Sequence, residues 1–83
     1  MKIRIDEREY HGTATEIMDQ LRKENFNPDE YPDVDSYICF VRDNIARAAD
    51  LEFPLPNSGT EARARLVFSQ LAKIGVLMML EDD

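Results

Sequence analysis

The stretch Gly75-Val76-Leu77-Met78-Met79-Leu80-Glu81-Asp82-Asp83 decides the fold class of this chain. Five apolar residues bounded by a glycine and three acids are too few for a helix and suit a buried strand. A strand turns successive side chains to opposite faces, so Val76, Met78 and Leu80 point one way and Leu77 and Met79 the other. Both faces are apolar and both call for cover. The helices of an 83-residue chain can cover one face of a small sheet. The other is left for a partner.

Upstream of this run the apolar residues recur at helical spacing. Ala64, Val67, Phe68, Leu71 and Ile74 form the buried stripe of a helix that starts at Ser58 or Thr60, either of which can cap it. Gly75 is placed to end it in the left-handed conformation. A longer helix carries Val34, Tyr37, Ile38, Val41, Ile45, Ala48 and Ala49, with Phe40 beside the stripe and Asp33 or Asp35 as its cap. The prolines at 28, 32, 54 and 56 keep the flanking segments out of helix, and Phe26 and Tyr31 are expected to pin the first of them to the core.

A first helix runs from Ala14 to about Glu24 with Ala14, Ile17, Met18 and Leu21 on one face. Thr13 and Glu16 before it have the spacing of a capping box. The segment before that alternates: Ile3 and Ile5 lie between Lys2, Arg4 and Asp6, and Tyr10 follows a charged stretch. A hairpin turning at Glu7-Arg8 would set Ile5 opposite Tyr10 and Ile3 opposite Gly12, with Arg4 and His11 outward. The order is strand, strand, helix, helix, helix, strand. These elements make one α+β domain over residues 1–83. Its three-stranded sheet sets the C-terminal strand beside the N-terminal hairpin, with helices packed on one face.

Composition narrows the function classes. The formal net charge is −7, and residues 29–53 hold seven acids against two basic residues. Such a chain repels phosphate backbones and anionic lipid, which argues against nucleic-acid and membrane partners. Arg63, Arg65 and Lys73 make the third helix locally basic, but the Glu52–Gly59 link is longer than a helix-turn-helix turn. The longest apolar run is far short of the ~20 residues a membrane helix needs. The N-terminal residues lack the apolar core of a signal peptide. A single cysteine, Cys39, excludes an internal disulfide and a multi-cysteine zinc site and points to a reducing cytoplasm.

No catalytic or cofactor motif stands out. Asn27, Asp29, Glu30, Asp33 and Asp35 crowd oxygen ligands together, but two prolines interrupt them and no glycine sits among them, unlike a calcium loop. Cys39 and His11 could form a nucleophilic pair, yet Cys39 lies between Ile38 and Phe40 and reads as a small core residue. Glu16 and Asp19, and Asp43 and Asp50 around Arg47, read as surface ion-pair partners. Gly12-Thr13 and Gly59-Thr60 each precede a helix without the lysine and added glycines of a phosphate loop. The junction Glu9-Tyr10-His11-Gly12-Thr13 resembles elements of small bacterial domains of unknown role and names no activity.

The expectation is therefore a protein-binding module without enzymatic activity, cofactor, metal or small-molecule substrate. It would form a homodimer, or bind another protein, through Val76, Leu77, Met78, Met79 and Leu80. The competing expectation is an acidic regulator, or nucleic-acid mimic, that docks on a basic protein surface. It would use Asp29, Glu30, Asp33, Asp35, Asp43 and Asp50.

Overall fold

The computed structural model describes residues 1–25 and 28–81. The anchor expected at Phe26, the oxygen ligand considered at Asn27 and the terminal Asp82-Asp83 lie outside them. Strands β1 (Lys2–Ile5) and β2 (Arg8–His11) lead into helix α1 (Ala14–Glu24). A single 3-10 turn (Pro28–Glu30), helices α2 (Val34–Ala49) and α3 (Thr60–Lys73) and strand β3 (Met78–Glu81) follow. The sheet is antiparallel with strand order β2-β1-β3, and the α+β arrangement and element order β-β-α-α-α-β expected from the periodicity are present.

The hairpin register differs from the expected one. Ile3 pairs with Tyr10 and Ile5 with Arg8, so the two-residue turn is Asp6-Glu7. Asp6 adopts φ 55°, a left-handed conformation that aspartate tolerates better than most residues. The shift is two residues, which keeps every side chain on its expected face, so the alternating pattern could not distinguish the two registers. Ile3 and Tyr10 are buried, while Arg4, Glu9 and His11 are exposed on the outer face.

Helix α1 begins with the expected capping box. The Glu16 amide donates to Thr13 Oγ1 (3.1 Å) and the Thr13 amide to Glu16 Oε1 (2.8 Å). Gly12 must be glycine. Its φ is +142°, and a Cβ there would meet the Glu16 side chain at 3.2–3.3 Å. At the far end of α1, Glu24 accepts from the Tyr10 hydroxyl (3.0 Å) and pairs with Arg8, whose guanidinium lies over the Tyr10 ring, tying the hairpin to the helix. Asp33 caps α2, accepting from the Ser36 amide and hydroxyl.

Helix α3 departs from expectation at its N-terminus and ends as expected at Gly75. Its N-cap is Gly59 without a side-chain hydrogen bond, and neither Ser58 nor Thr60 serves. The Thr60 hydroxyl instead donates to Asp35 Oδ2 on α2 (3.1 Å), and Arg63 joins the same carboxylate through Nε and Nη2 while Nη1 donates to the Pro56 carbonyl. This cluster ties α2, α3 and the 50–59 connection together. At the C-terminus Gly75 takes φ 81°, its amide donates to the Ala72 carbonyl and the Val76 amide to the Leu71 carbonyl. That is the Schellman arrangement anticipated at Gly75. Ile74, expected in the buried stripe, is the last residue before this reversal and is exposed.

The core joins Met1, Ile3, Tyr10 and Leu77 from the sheet side to Ala14, Ile17 and Met18 of α1, Ile38 and Ile45 of α2, and Ala64, Val67 and Phe68 of α3. Tyr31, Tyr37 and Phe40 form an aromatic cluster with ring centroids 4.6–5.7 Å apart that joins the core through Tyr37, so Tyr31 anchors its segment to α2. Cys39 is exposed, contrary to the core role expected from its apolar neighbours. One residue along a helix is a rotation of about 100°, which carries Cys39 off the Ile38 stripe.

Candidate interaction surface

Strand β3 is one of the two edge strands of the sheet, β2 being the other. It pairs with β1 alone, so the backbone groups along its other side have no strand partner among the described residues. The strand is shorter than expected: Val76 and Leu77 precede it, and it runs from Met78 through Glu81. The alternation of faces nevertheless holds from Val76 onward. Leu77 is 7% exposed and Met79 packs against the core, while Val76 (49%), Met78 (52%) and Leu80 (37%) are open to solvent. Ile74 (38%) adds a fourth apolar side chain just upstream.

A register shift between Lys2 and Ile3 leaves Leu80 as an extra residue, since Ile3 faces Met79 and Lys2 faces Glu81. The apolar strip is confined to this edge. The rest of the outer face carries Lys2, Arg4, Glu9 and His11, with Lys2 and Glu9 paired at 3.3 Å. Arg4, opposite Met78 in the ladder, directs Nη2 to the Met78 sulfur at 3.8 Å. A groove of about 520 Å³ beside the strip is lined by Arg4, Asp6, Ala72 and residues 75–79.

The five expected interface residues thus divide. Val76, Met78 and Leu80 are available at the surface, while Leu77 and Met79 belong to the packed face. Ile74 was missed, because helical spacing assigned it inward. Its position immediately before the helix-ending Gly75 was the available signal. The role of Arg4 beside the strip had no sequence signal, since it depends on strand pairing across 74 residues.

The acidic residues do not act as one set. Asp33 is the α2 cap, and the hydrogen bonds from the Ser36 hydroxyl and amide hold its carboxyl below the usual range. Asp35 is held by Thr60 and Arg63, and Asp43 pairs with Arg42 at 3.2 Å. Asp29 and Glu30 are exposed on the 3-10 turn, and Asp50 is exposed at the left-handed C-cap of α2. A second groove of about 540 Å³ lies between α2 and the following segment, lined by Arg42, Asp43, Ala46, Glu52, Phe53 and Pro54. Asp19 pairs with Arg22 and Lys23 as expected, whereas Arg47 bonds to Asn44.

His11 lies on the outer face of β2 and Cys39 on the solvent side of α2, so the fold does not bring them together. Among the described residues no group of three or more His, Cys, Asp and Glu side chains is placed to hold a metal ion. No described helix is long and apolar enough to cross a membrane.

The most strongly perturbed carboxylate is Glu61, in the first turn of α3. It accepts from the amides of Ala14 (3.0 Å) and Thr15 (2.8 Å), the Thr15 hydroxyl (2.7 Å) and Arg65 Nε (3.1 Å). Partial burial pushes its pKa up. The Thr15, Ala14 and Arg65 hydrogen bonds outweigh that and bring it down to about 2. The positive end of α1 is therefore filled by the protein's own side chain. Its function is to dock α3 on α1.

The chain matches no protein-family model, no curated protein and no solved structure.

Proposed function

We propose that this chain is a protein-binding module that self-associates through β3 and is not a catalyst. The observation that supports the reading is the exposure of Met78 and Leu80 on an edge strand, with Val76 and Ile74 exposed just before it. Monomers seldom leave an apolar edge bare, and methionine adapts readily to a partner surface. Pairing of two β3 edges across a two-fold axis would satisfy the free backbone groups and bring the two strips side by side. Stacking of outer faces would instead desolvate Arg4 and the Lys2–Glu9 pair. A cytosolic setting suits the exposed thiol of Cys39, which stays reduced there. The acidic-regulator reading has weaker support, because Asp33, Asp35 and Asp43 are engaged within the chain.

The test is the solution mass by light scattering, at several concentrations and at low and high salt, for the wild type, Met78→Lys and Met79→Lys. The expected result is a wild-type dimer that persists in salt, a folded monomer for Met78→Lys, and a destabilised Met79→Lys because that side chain packs on the core. A wild type that stays monomeric throughout, or a Met78→Lys that still dimerises, overturns the reading.

A further inference from the structure

Building on self-association through β3, we propose that Met78 is a methionine-oxidation site and that its sulfoxide, held by Arg4, switches the association off. The chain has four methionines, and the fold grades their access steeply. Met18 is 0% and Met1 6% exposed, Met79 is half-buried against the core, and Met78 is 52% exposed. A peroxide in solvent therefore meets one methionine whose side chain is largely open.

The surroundings of that sulfur suit the product better than the reactant. Arg4 Nη2 stands 3.8 Å from Met78 Sδ, a weak acceptor, and no described carboxylate is paired with Arg4. Hydrogen peroxide transfers one oxygen to the thioether: the sulfur lone pair forms the S–O bond, the O–O bond breaks and water leaves. The sulfur is oxidised by two electrons and the peroxide reduced by two. In the epimer whose oxygen faces Arg4, the guanidinium gains a charge-assisted hydrogen bond. The step converts a flexible apolar side chain into a polar one, and sulfoxide reductases can reverse it. Here the change falls on the residue between Val76 and Leu80 in the alternation of exposed side chains. In the associated form Met78 is covered, so the oxidant acts on the free chain and keeps it free.

The experiment treats the wild-type protein with hydrogen peroxide and follows each methionine by quenched digestion and mass spectrometry, with light scattering on the same samples. Met78 is expected to oxidise at least about tenfold faster than Met1 and Met18 and ahead of Met79. Its rate should fall as concentration rises through the range where the mass doubles. The oxidised chain should be monomeric, and treatment with sulfoxide reductases should return both the Met78 thioether and the dimer mass. Comparable rates at all four methionines, or a chain whose mass does not return once a sulfoxide reductase has restored Met78, overturn the switch. Arg4 guanidinium signals in nitrogen-proton spectra should shift on oxidation, and unchanged signals overturn its role. A wild type that is monomeric at every concentration removes the self-association reading and the switch with it, while the four oxidation rates still decide whether Met78 is the site.

Discussion

Removing the Glu61 carboxylate tests whether α3 is held on α1 by an internal anion at a helix N-terminus. Glu61→Gln keeps the shape of the side chain and discards its charge, leaving the Ala14 and Thr15 amides without a carboxylate acceptor. The pKa of Glu61 falls from 4.5 to about 2 on folding. At about 1.4 kcal/mol per pH unit that drop corresponds to about 3 kcal/mol for a group shielded from solvent. The side chain is 41% exposed, and solvent screening reduces the figure to about 1–2 kcal/mol. Because the folded pKa lies below the unfolded one, this contribution is complete above about pH 4.5 and disappears as pH falls toward about 2. Urea titrations of wild type and Glu61→Gln at neutral pH should differ by about 1–2 kcal/mol, or about 5–10 °C in Tm. The difference should shrink steadily in acid. A neutral-pH difference near zero, or one that keeps its size at about pH 2, refutes the assignment.

Gly12→Ala should cost about 1–2 kcal/mol in thermal or urea unfolding, because the new Cβ presses on Glu16 and must adopt φ +142°. A neutral effect would mean that the strand-to-helix junction relaxes freely. Cys39 should react with a thiol reagent in native buffer at nearly the rate of the urea-unfolded chain, since it is exposed on α2. Strong native protection would contradict that placement. Arg63→Ala should loosen the 50–59 connection, seen as faster amide exchange there and a stability loss of about 1 kcal/mol, because Asp35 and the Pro56 carbonyl both lose a donor. Unchanged exchange would show that Thr60 alone holds Asp35.

Much of the secondary structure was legible in the residues because side-chain period is a local property. The α1 capping box, the α1 and α2 spans, the Gly75 stop and the alternation from Val76 to Leu80 all follow from backbone hydrogen bonding and the 3.6- or 2-residue repeat. Even the two-residue register error in the hairpin left Ile3 and Tyr10 facing inward, since faces depend on parity alone.

Which apolar face of the last strand meets the core was undecided in one dimension, because Val76, Met78 and Leu80 are as apolar as Leu77 and Met79. The answer depends on where the reversal at Gly75 aims the chain and on β1 supplying the central strand. The same holds for Ile74 and Cys39, whose apolar character or neighbours suggested burial and whose angular positions expose them. Glu61 on α1, Arg63 on Asp35 and Arg4 on Met78 join residues 28 to 74 positions apart. Such contacts carry no period and no spacing. They exist only after the helices and sheet have packed, which is why the sequence alone determined the elements and their faces while tertiary structure decided the exposed edge.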